Sequence, residues 1–462
     1  MCVILVNSME SVPNNKGTQS ASLATMRRRA SSAQGCIRSK PDALSEPRTD
    51  IDATFQEGGT MGAKAQLDPS PFGMGIYPCH RTSGETTSTA LRLARDAGIK
   101  WTRDELGWGG IQPERGVWKW EAFDRAIRLT QEHGIHTLGL LCYSAPWAAT
   151  HRTADDKPSV VSLPDLSAWK EYVFRTVERY RETIRVWQMW NEPNISVFWQ
   201  PKPDPRGYAK LLVAGAEAAR AADPTCWIVG CNTSTVDLAF DRVVFEEGGW
   251  DSTDIIGVHP YRYPHAPEHT DMLGELRNLA ALAYEFGAVK PIWISEIGYA
   301  THLGPGGSSE WWSAAMLMRV YLTCWASGLV QKVFWYDYRD DGTDPTYNES
   351  NFGILHHDWS PKMPYHGFKA MALTLEGFSP EGRVDLGEAP YVLKFIRGDE
   401  VRYAAWTLGK NARVPVPAPA DQVTVIRAWD TPLQAEARNG WVSVALDAAP
   451  VFLVDSRRWT TS

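Results

Sequence analysis

The run Ile184-Arg185-Val186-Trp187-Gln188-Met189-Trp190-Asn191-Glu192-Pro193-Asn194 leads an apolar strand straight into a polar loop. Residues 184–190 have the length and the aromatic and β-branched content of a buried strand. Pro193 cannot donate to a ladder, so pairing stops there and Glu192 is presented at the strand's C-terminal end. A second run has the same form. Ile292-Trp293-Ile294-Ser295-Glu296-Ile297-Gly298-Tyr299 delivers another glutamate, and Gly298 is expected to let the backbone turn directly after it.

Outward from these two strands, the chain repeats one rhythm. Apolar runs at 72–77, 100–103, 137–142, 184–190, 227–231, 255–259, 291–295 and 330–336 alternate with helical periodicity. The helical stretches are 86–97, 120–133, 168–180, 208–222, 272–286, 310–326 and 365–375. In the second, Phe123, Ala126, Ile127 and Thr130 share a face, and Gly134 ends the helix. Eight such units could form a doubly wound sheet or a (β/α)₈ barrel. No GxGxxG turn supports the first. Polar and aromatic residues recur at the strand C-terminal ends, where barrels carry their active sites. The expected catalytic domain is therefore an α/β (β/α)₈ TIM barrel over residues 68–377.

Beyond Gly377 the pattern becomes all-β. Runs at 391–397 and 401–408 flank Gly398-Asp399-Glu400, a hairpin signature. Runs at 423–429, 441–446 and 451–454 follow, with Asn439-Gly440 as a turn and Pro415–Pro419 read as a loop. A small C-terminal β-sandwich over 378–462 is expected, with a stabilising role favoured over sugar binding because no aromatic cluster stands out in it. Residues 1–67 are rich in Ser, Asn, Gln and Gly and lack periodicity, the composition of a disordered extension, with Met26 or Met61 as alternative starts.

Composition narrows the function. A chain of 462 residues accommodates a barrel plus a small domain, and its net charge of −7 offers no basic surface for nucleic acid. No stretch of 18 apolar residues suggests a membrane helix. The seven cysteines show no CxxC pair, and Cys226 and Cys231 read as buried free thiols, which leans toward the cytoplasm. Met1–Val6 is too short for a signal segment. The 21 tryptophans can serve the core or act as platforms for sugar rings. His356-His357-Asp358 are adjacent rather than spaced to converge on an ion, so neither metal nor other cofactor is expected. Asp337, Asp340, Asp341 and Asp344 read as a solvated loop.

Two strand-end glutamates on opposite sides of a barrel mouth suit glycosidic bond cleavage. One carboxyl donates a proton to the leaving oxygen, and the other, ionised, faces the anomeric carbon. Arg103, ending the second strand, would keep Glu296 ionised, unless it pairs instead with Asp104 or Glu105.

With these motifs the chain resembles glycoside hydrolase clan A over about residues 72–375. Trp190-Asn191-Glu192-Pro193-Asn194 matches the acid/base signature, and Ser295-Glu296-Ile297-Gly298-Tyr299 matches the nucleophile strand. Arg103, Trp108, Ile111-Gln112-Pro113-Glu114-Arg115-Gly116, Trp120 and Tyr143-Ser144-Ala145-Pro146-Trp147-Ala148 look like family 39, which includes β-xylosidases and exopolysaccharide glycosidases. The residues after Glu296 are closer to family 5-like enzymes.

The resemblance implies a retaining mechanism with Glu192 as acid/base and Glu296 as nucleophile. It implies that Asn191 bonds the sugar 2-hydroxyl, that Tyr261 bonds the nucleophile, and that His259 lines the cleft. Trp335 would be the platform under the reacting sugar. Tyr143 and Trp147, with Phe198 and Trp199, would line the cleft. The expected function is a retaining β-glycosidase of β-xylosidase type acting on an oligosaccharide or polysaccharide. The alternatives are an endo-acting glycanase on a β-glucan or exopolysaccharide, a transglycosylase, and a non-catalytic carbohydrate-binding protein.

Overall fold

The computed structural model describes residues 63–459, so most of the expected extension, residues 1–62, lies outside the described residues. Eight parallel strands close a barrel in chain order. They are β1 (Phe72–Met74), β2 (Trp101–Glu105), β3 (His136–Leu141), β4 (Val186–Met189), β5 (Trp227–Ser234), β6 (Ile255–His259), β7 (Ile292–Ile297) and β8 (Val330–Trp335). β8 returns to pair with β1, which leaves no open edge.

The helices form where the apolar spacing predicts. Asp165 caps Leu166–Tyr180 by accepting from the Ala168 amide at 2.8 Å. That helix buries Trp169, Tyr172, Val173, Thr176, Val177 and Tyr180, one face at i, i+3 and i+4 spacing. Each fully buried large side chain contributes about 1.5–3 kcal/mol. Between β5 and β6 lies the helix Leu238–Val244, capped by Asp237, which is too short to show a period in the sequence.

One layer of side chains plugs the barrel. Trp101, Leu138, Val186, Val229, Ile255, Trp293 and Phe334 pack together, one from each of β2 to β8. Strand period two then fixes what lies above. Two residues further on, Arg103, Gln188, Gly257, Ser295 and Tyr336 come to the inside, while Trp187, Ile256, Ile294 and Trp335 belong to the barrel–helix core; an irregularity after Ile294 lets Glu296 face the mouth as well.

The C-terminal region forms an uneven sandwich. Its strands are β9 (Ser379–Val384), β10 (Pro390–Arg397), β11 (Glu400–Thr407), β12 (Ala412–Pro417), β13 (Gln422–Ile426), β14 (Leu433–Glu436), β15 (Trp441–Leu446) and β16 (Val451–Asp455). Six make one sheet, ordered β14-β13-β16-β11-β10-β9, and β12 pairs with β15. Leu393, Phe395, Ala404, Trp406, Phe452 and Val454 face the barrel core. Their alternates Val392, Tyr403, Ala405, Val451 and Leu453 face Val416, Val442 and Val444 of the smaller sheet.

The proline-rich stretch read as a loop is part of β12. Pro415 pairs opposite Ser443 on a two-stranded edge, where its missing amide costs no ladder bond. Asn439 and Gly440 both have positive φ (51° and 78°), as a two-residue I′ turn requires.

Residues 63–67 are not the loose chain that composition suggested. Lys64 donates to the Cys226 carbonyl at 2.6 Å and to Asp254 at 2.8 Å, and the Ala65 carbonyl accepts from Trp227. Cys79, Cys226, Cys231 and Cys324 are free thiols. Among the described residues no helix is long and apolar enough to cross a membrane.

Asp241 is buried against Cys231. Burial, with help from Asp237 and partial relief from the thiol, pushes its carboxyl from the usual 3.8 up to about 8. An unfolded chain loses that proton near pH 3.8, whereas the folded protein keeps it until about 8. The group's contribution is therefore fully present at low pH and falls by about 1.4 kcal/mol per pH unit across that window. Asp241→Asn should remove the dependence. Melting temperatures of variant and wild type should diverge in the variant's favour from about pH 5 to about pH 8. A difference that stays constant with pH would show that Asp241 does not titrate this way.

Candidate active site

At the C-terminal mouth of the barrel the two glutamates meet. One oxygen of Glu192, one of Glu296 and a ring nitrogen of His259 lie within 4.8 Å of one another, and all three residues are buried. Their surroundings differ. Glu296 accepts from Arg103 Nη1 at 2.6 Å through one oxygen and from the Tyr261 hydroxyl at 2.7 Å through the other. Glu192 meets His259, whose Nδ1 lies 2.8 Å from it and whose Nε2 lies 3.0 Å from the Ser295 hydroxyl.

Electrostatics follow from these partners. Burial alone would raise the Glu296 carboxyl. The charges of His259 and Arg103, with the hydrogen bonds from Tyr261 and Arg103, outweigh it and hold the group below its usual range. Burial and the adjacent Glu296 in turn push the Tyr261 hydroxyl well up, so it stays a donor.

Arg103 organises the floor of the site. Its Nε donates to Gln188 at 2.9 Å, Nη1 also to Tyr77 at 2.9 Å, and Nη2 to Asn191 Oδ1 at 2.6 Å. The alternative pairing with Asp104 or Glu105 does not form. Asp104 takes the opposite face of β2, where its carboxylate accepts the Cys79 amide. Asn191 passes the chain on, donating to the Tyr143 hydroxyl at 3.1 Å. Tyr143 stacks on Phe198 with centroids 5.7 Å apart.

Glu192, His259 and Glu296 offer oxygen and nitrogen donors, yet those atoms are already engaged with Arg103, Tyr261, Ser295 and each other. A cation would have to displace these bonds beside a guanidinium. The donor set suits proton handling. His356, His357 and Asp358 diverge, toward Glu310, the Asp340 carbonyl and Ser360 respectively.

The chain is similar to several known proteins. The family 42 glycoside hydrolase model, described as β-galactosidase, matches residues 76–147. The β-galactosidase Bga of Halorubrum lacusprofundi is 30% identical over 123 residues, 25% of this chain and 17% of that protein. The chain thus aligns with about a sixth of that relative's length. A family 39 glycoside hydrolase from Bacteroides cellulosilyticus superposes with a TM-score of 0.72 at 24% identity, covering 84% of this chain and 81% of that one. A family 39 β-xylosidase from Caulobacter crescentus gives 0.64 at 19% identity, covering 86% and 98%. The chain shares its fold with these family 39 glycoside hydrolases.

Against that fold, several expected cleft residues move. Trp335 is not the platform. It is 0% exposed and stacks parallel on Tyr299 at 5.7 Å within the barrel–helix core. The reason is strand period: Phe334 fills the barrel plug, so Trp335 points outward and Tyr336 inward. Tyr336 meets Tyr77 and Phe352 edge-on, and its hydroxyl accepts from Arg81 at 3.0 Å.

Trp147 is turned to the loop after β2. Its indole donates to the Gln112 carbonyl at 2.9 Å, and Arg115 covers its ring. Trp199 is buried against Trp190 and Tyr208, as wall rather than platform. Asp337 and Asp340 are buried, not solvated; Asp337 pairs with Arg81, and Asp340 with Lys362 at 2.7 Å.

The sequence reading missed Tyr77, Gln188, Ser295, Tyr336 and Glu349. Gln188, Ser295 and Tyr336 lie two residues beyond the plug residues Val186, Trp293 and Phe334, a signal visible only once the inward register is known, and Tyr77 lies in the loop after β1. Glu349 comes from the loop after β8. Burial, Glu296 and Asp341 push its carboxyl up to about 8.

Gly298 serves a different purpose from the expected turn. A Cβ there would overlap the carbonyl oxygen of Tyr336, so the glycine permits close approach of the two strand ends. Gly298→Ala should force β7 and β8 apart directly beside Glu296. We expect a loss of about 1–3 kcal/mol in chemical denaturation. Unchanged stability would show that the two strand ends have slack.

Proposed function

We propose that the protein is a retaining glycoside hydrolase, with Glu296 as nucleophile and Glu192 as general acid/base. The observation that carries this reading is the approach of the two carboxylates within 4.8 Å in unlike surroundings. Retaining enzymes hold the pair at about 5–5.5 Å, whereas inverting ones need about 6.5–9.5 Å to admit a water.

Glu296, held ionised by Arg103 and Tyr261, attacks the anomeric carbon. Glu192 protonates the departing glycosidic oxygen, and a glycosyl ester forms on Glu296. Glu192 then takes a proton from water, which attacks the same carbon and releases the sugar with its original configuration. His259, bridging Glu192 to Ser295, orients the carboxyl through both half-reactions. Asn191, fixed between Arg103 and Tyr143, is set to meet the sugar 2-hydroxyl. Tyr336 takes over the platform role expected of Trp335.

The sugar is a β-linked neutral glycone in this reading, a β-xyloside first and a β-galactoside second. The first follows the family 39 β-xylosidase and the second the curated relative. Glu349, a buried carboxyl raised in part by Glu296, adds an acid rather than a cation to this region, which favours a hydroxyl-rich sugar over an anionic one. The free thiols suit a reducing compartment, the cytoplasm in this reading.

A panel of nitrophenyl α- and β-glycosides beside soluble polysaccharides tests the proposal. We expect release from a β-glycoside, with Glu296→Ala lowering turnover by about 10⁴-fold or more. Glu192→Ala should spare dinitrophenyl glycosides and lose about 10²–10⁴-fold on alkyl glycosides, which need the proton. Shortening of a polysaccharide without small-glycoside turnover would favour the endo-acting alternative. Binding without any turnover would leave a carbohydrate-binding protein.

The pH profile gives a second check. Arg103→Gln removes one of the charges that depress Glu296, so its carboxyl should rise. The acidic limb of kcat/KM should move up by about 1–3 pH units. A limb that stays in place would separate Arg103 from the ionisation of Glu296.

A further inference from the structure

We infer that Asn232 is a positioning residue for Glu192, acting through a backbone clasp between the ends of β4 and β5. The inference rests on the acid/base reading of Glu192. Four non-glycine residues on these two neighbouring strand ends have left-handed backbones: Trp190 (φ 68°), Glu192 (φ 44°), Cys231 (φ 67°) and Asn232 (φ 57°). Asn tolerates that region; Glu, Trp and Cys do so poorly. Such a cluster persists only where its surroundings over-determine it.

The surroundings here are specific. The β5–β6 register shifts between Cys231 and Thr233, which makes Asn232 the extra residue of a bulge. Its carbonyl accepts the Glu192 amide at 3.0 Å. Its side-chain amide donates to the carbonyls of Met189 and Val229, each at 3.2 Å. Asn232 thus grips β4 on both sides of Trp190-Asn191. A second grip lies just beyond. Asn194 Oδ1 accepts the Ser234 amide at 2.9 Å, and Asn194 Nδ2 donates to the Ser234 carbonyl at 3.0 Å.

The sheet is cut to fit this bulge. Gly257 on β6 faces Asn232, and a Cβ there would overlap Asn232 Oδ1. Two residues along the same strand, His259 contacts the Glu192 carboxyl. Asn232 therefore fixes the backbone of Glu192 from one side while β6 fixes its carboxyl from the other. Released from the clasp, Glu192 would relax out of the left-handed region, and its carboxyl would leave the leaving-group oxygen.

The test compares wild type with Glu192→Ala, Asn232→Ala, Asn232→Gly and Asn194→Ala. Each is assayed on a dinitrophenyl and a methyl glycoside of the active sugar, with active sites counted by a 2-deoxy-2-fluoro glycoside. Asn232→Ala should lose about tenfold or more in kcat/KM on the methyl glycoside and little on the dinitrophenyl one. Asn232→Gly frees the left-handed backbone but drops the side-chain ties, so it should fall between Asn232→Ala and wild type. Equal losses on both substrates, or none, would overturn the clasp. If Asn232→Ala does not fold, the half-exposed Asn194→Ala decides by the same ratio of substrates. Should Glu192→Ala itself show no leaving-group dependence, the acid/base assignment fails instead, a result distinct from failure of the clasp.

Discussion

A guanidinium and a carboxylate, both buried, sit 2.6 Å apart at the centre of the barrel mouth. Taking each ion out of water costs several kcal/mol, and their mutual attraction offsets that only when the remaining donors and acceptors are satisfied. Here they are. Arg103 spends its nitrogens on Glu296, Tyr77, Gln188 and Asn191, and Glu296 receives Tyr261 on its second oxygen. Residues from β2, β4 and β7 and from the loops after β1 and β6 are thereby committed to one geometry. Removing one partner would leave an uncompensated buried charge, at a cost of about 3–5 kcal/mol. The pair holds Glu296 ionised and also ties the strand ends together.

The second constraint is steric. The plug of Trp101, Trp293, Phe334 and their neighbours fills the barrel below the ion pair, so every polar residue above it is forced toward the mouth. Glycines then set how closely the strand ends approach. Gly298 admits the Tyr336 carbonyl, and Gly257 admits Asn232. The left-handed residues at the ends of β4 and β5 are the local cost of aiming Glu192 away from the direction its strand would give it.

The C-terminal sandwich acts from outside. Its large sheet buries one face on the barrel through Leu393, Phe395, Trp406 and Phe452, and the Trp406 indole donates to Glu268 at 3.1 Å. Glu268 is also the partner of buried Arg319, on the helix that follows β7. The domain thus braces the side of the barrel that carries Glu296.

Much of this was legible in the residues alone. The eight-fold alternation, the all-β tail and the two glutamates follow from local pattern, because strand and helix periods, prolines and strand-end motifs act within a few residues. The proline-bearing strand β12 was not legible, since its acceptability depends on lying at an edge. Nor was the choice between Trp335 and Tyr336. Both are aromatic and adjacent, and only the barrel's register, set by what Phe334 packs against, sends one outward and the other in. Arg103's choice of Glu296 over Asp104 and Glu105 has the same origin, as does the burial of Asp337. Sequence by itself determined which acidic and aromatic side chains stand at the strand ends, because residue type and local spacing are enough for that. Only the tertiary structure decided which side chains face one another, because facing depends on strand register and on contacts between residues far apart in the chain.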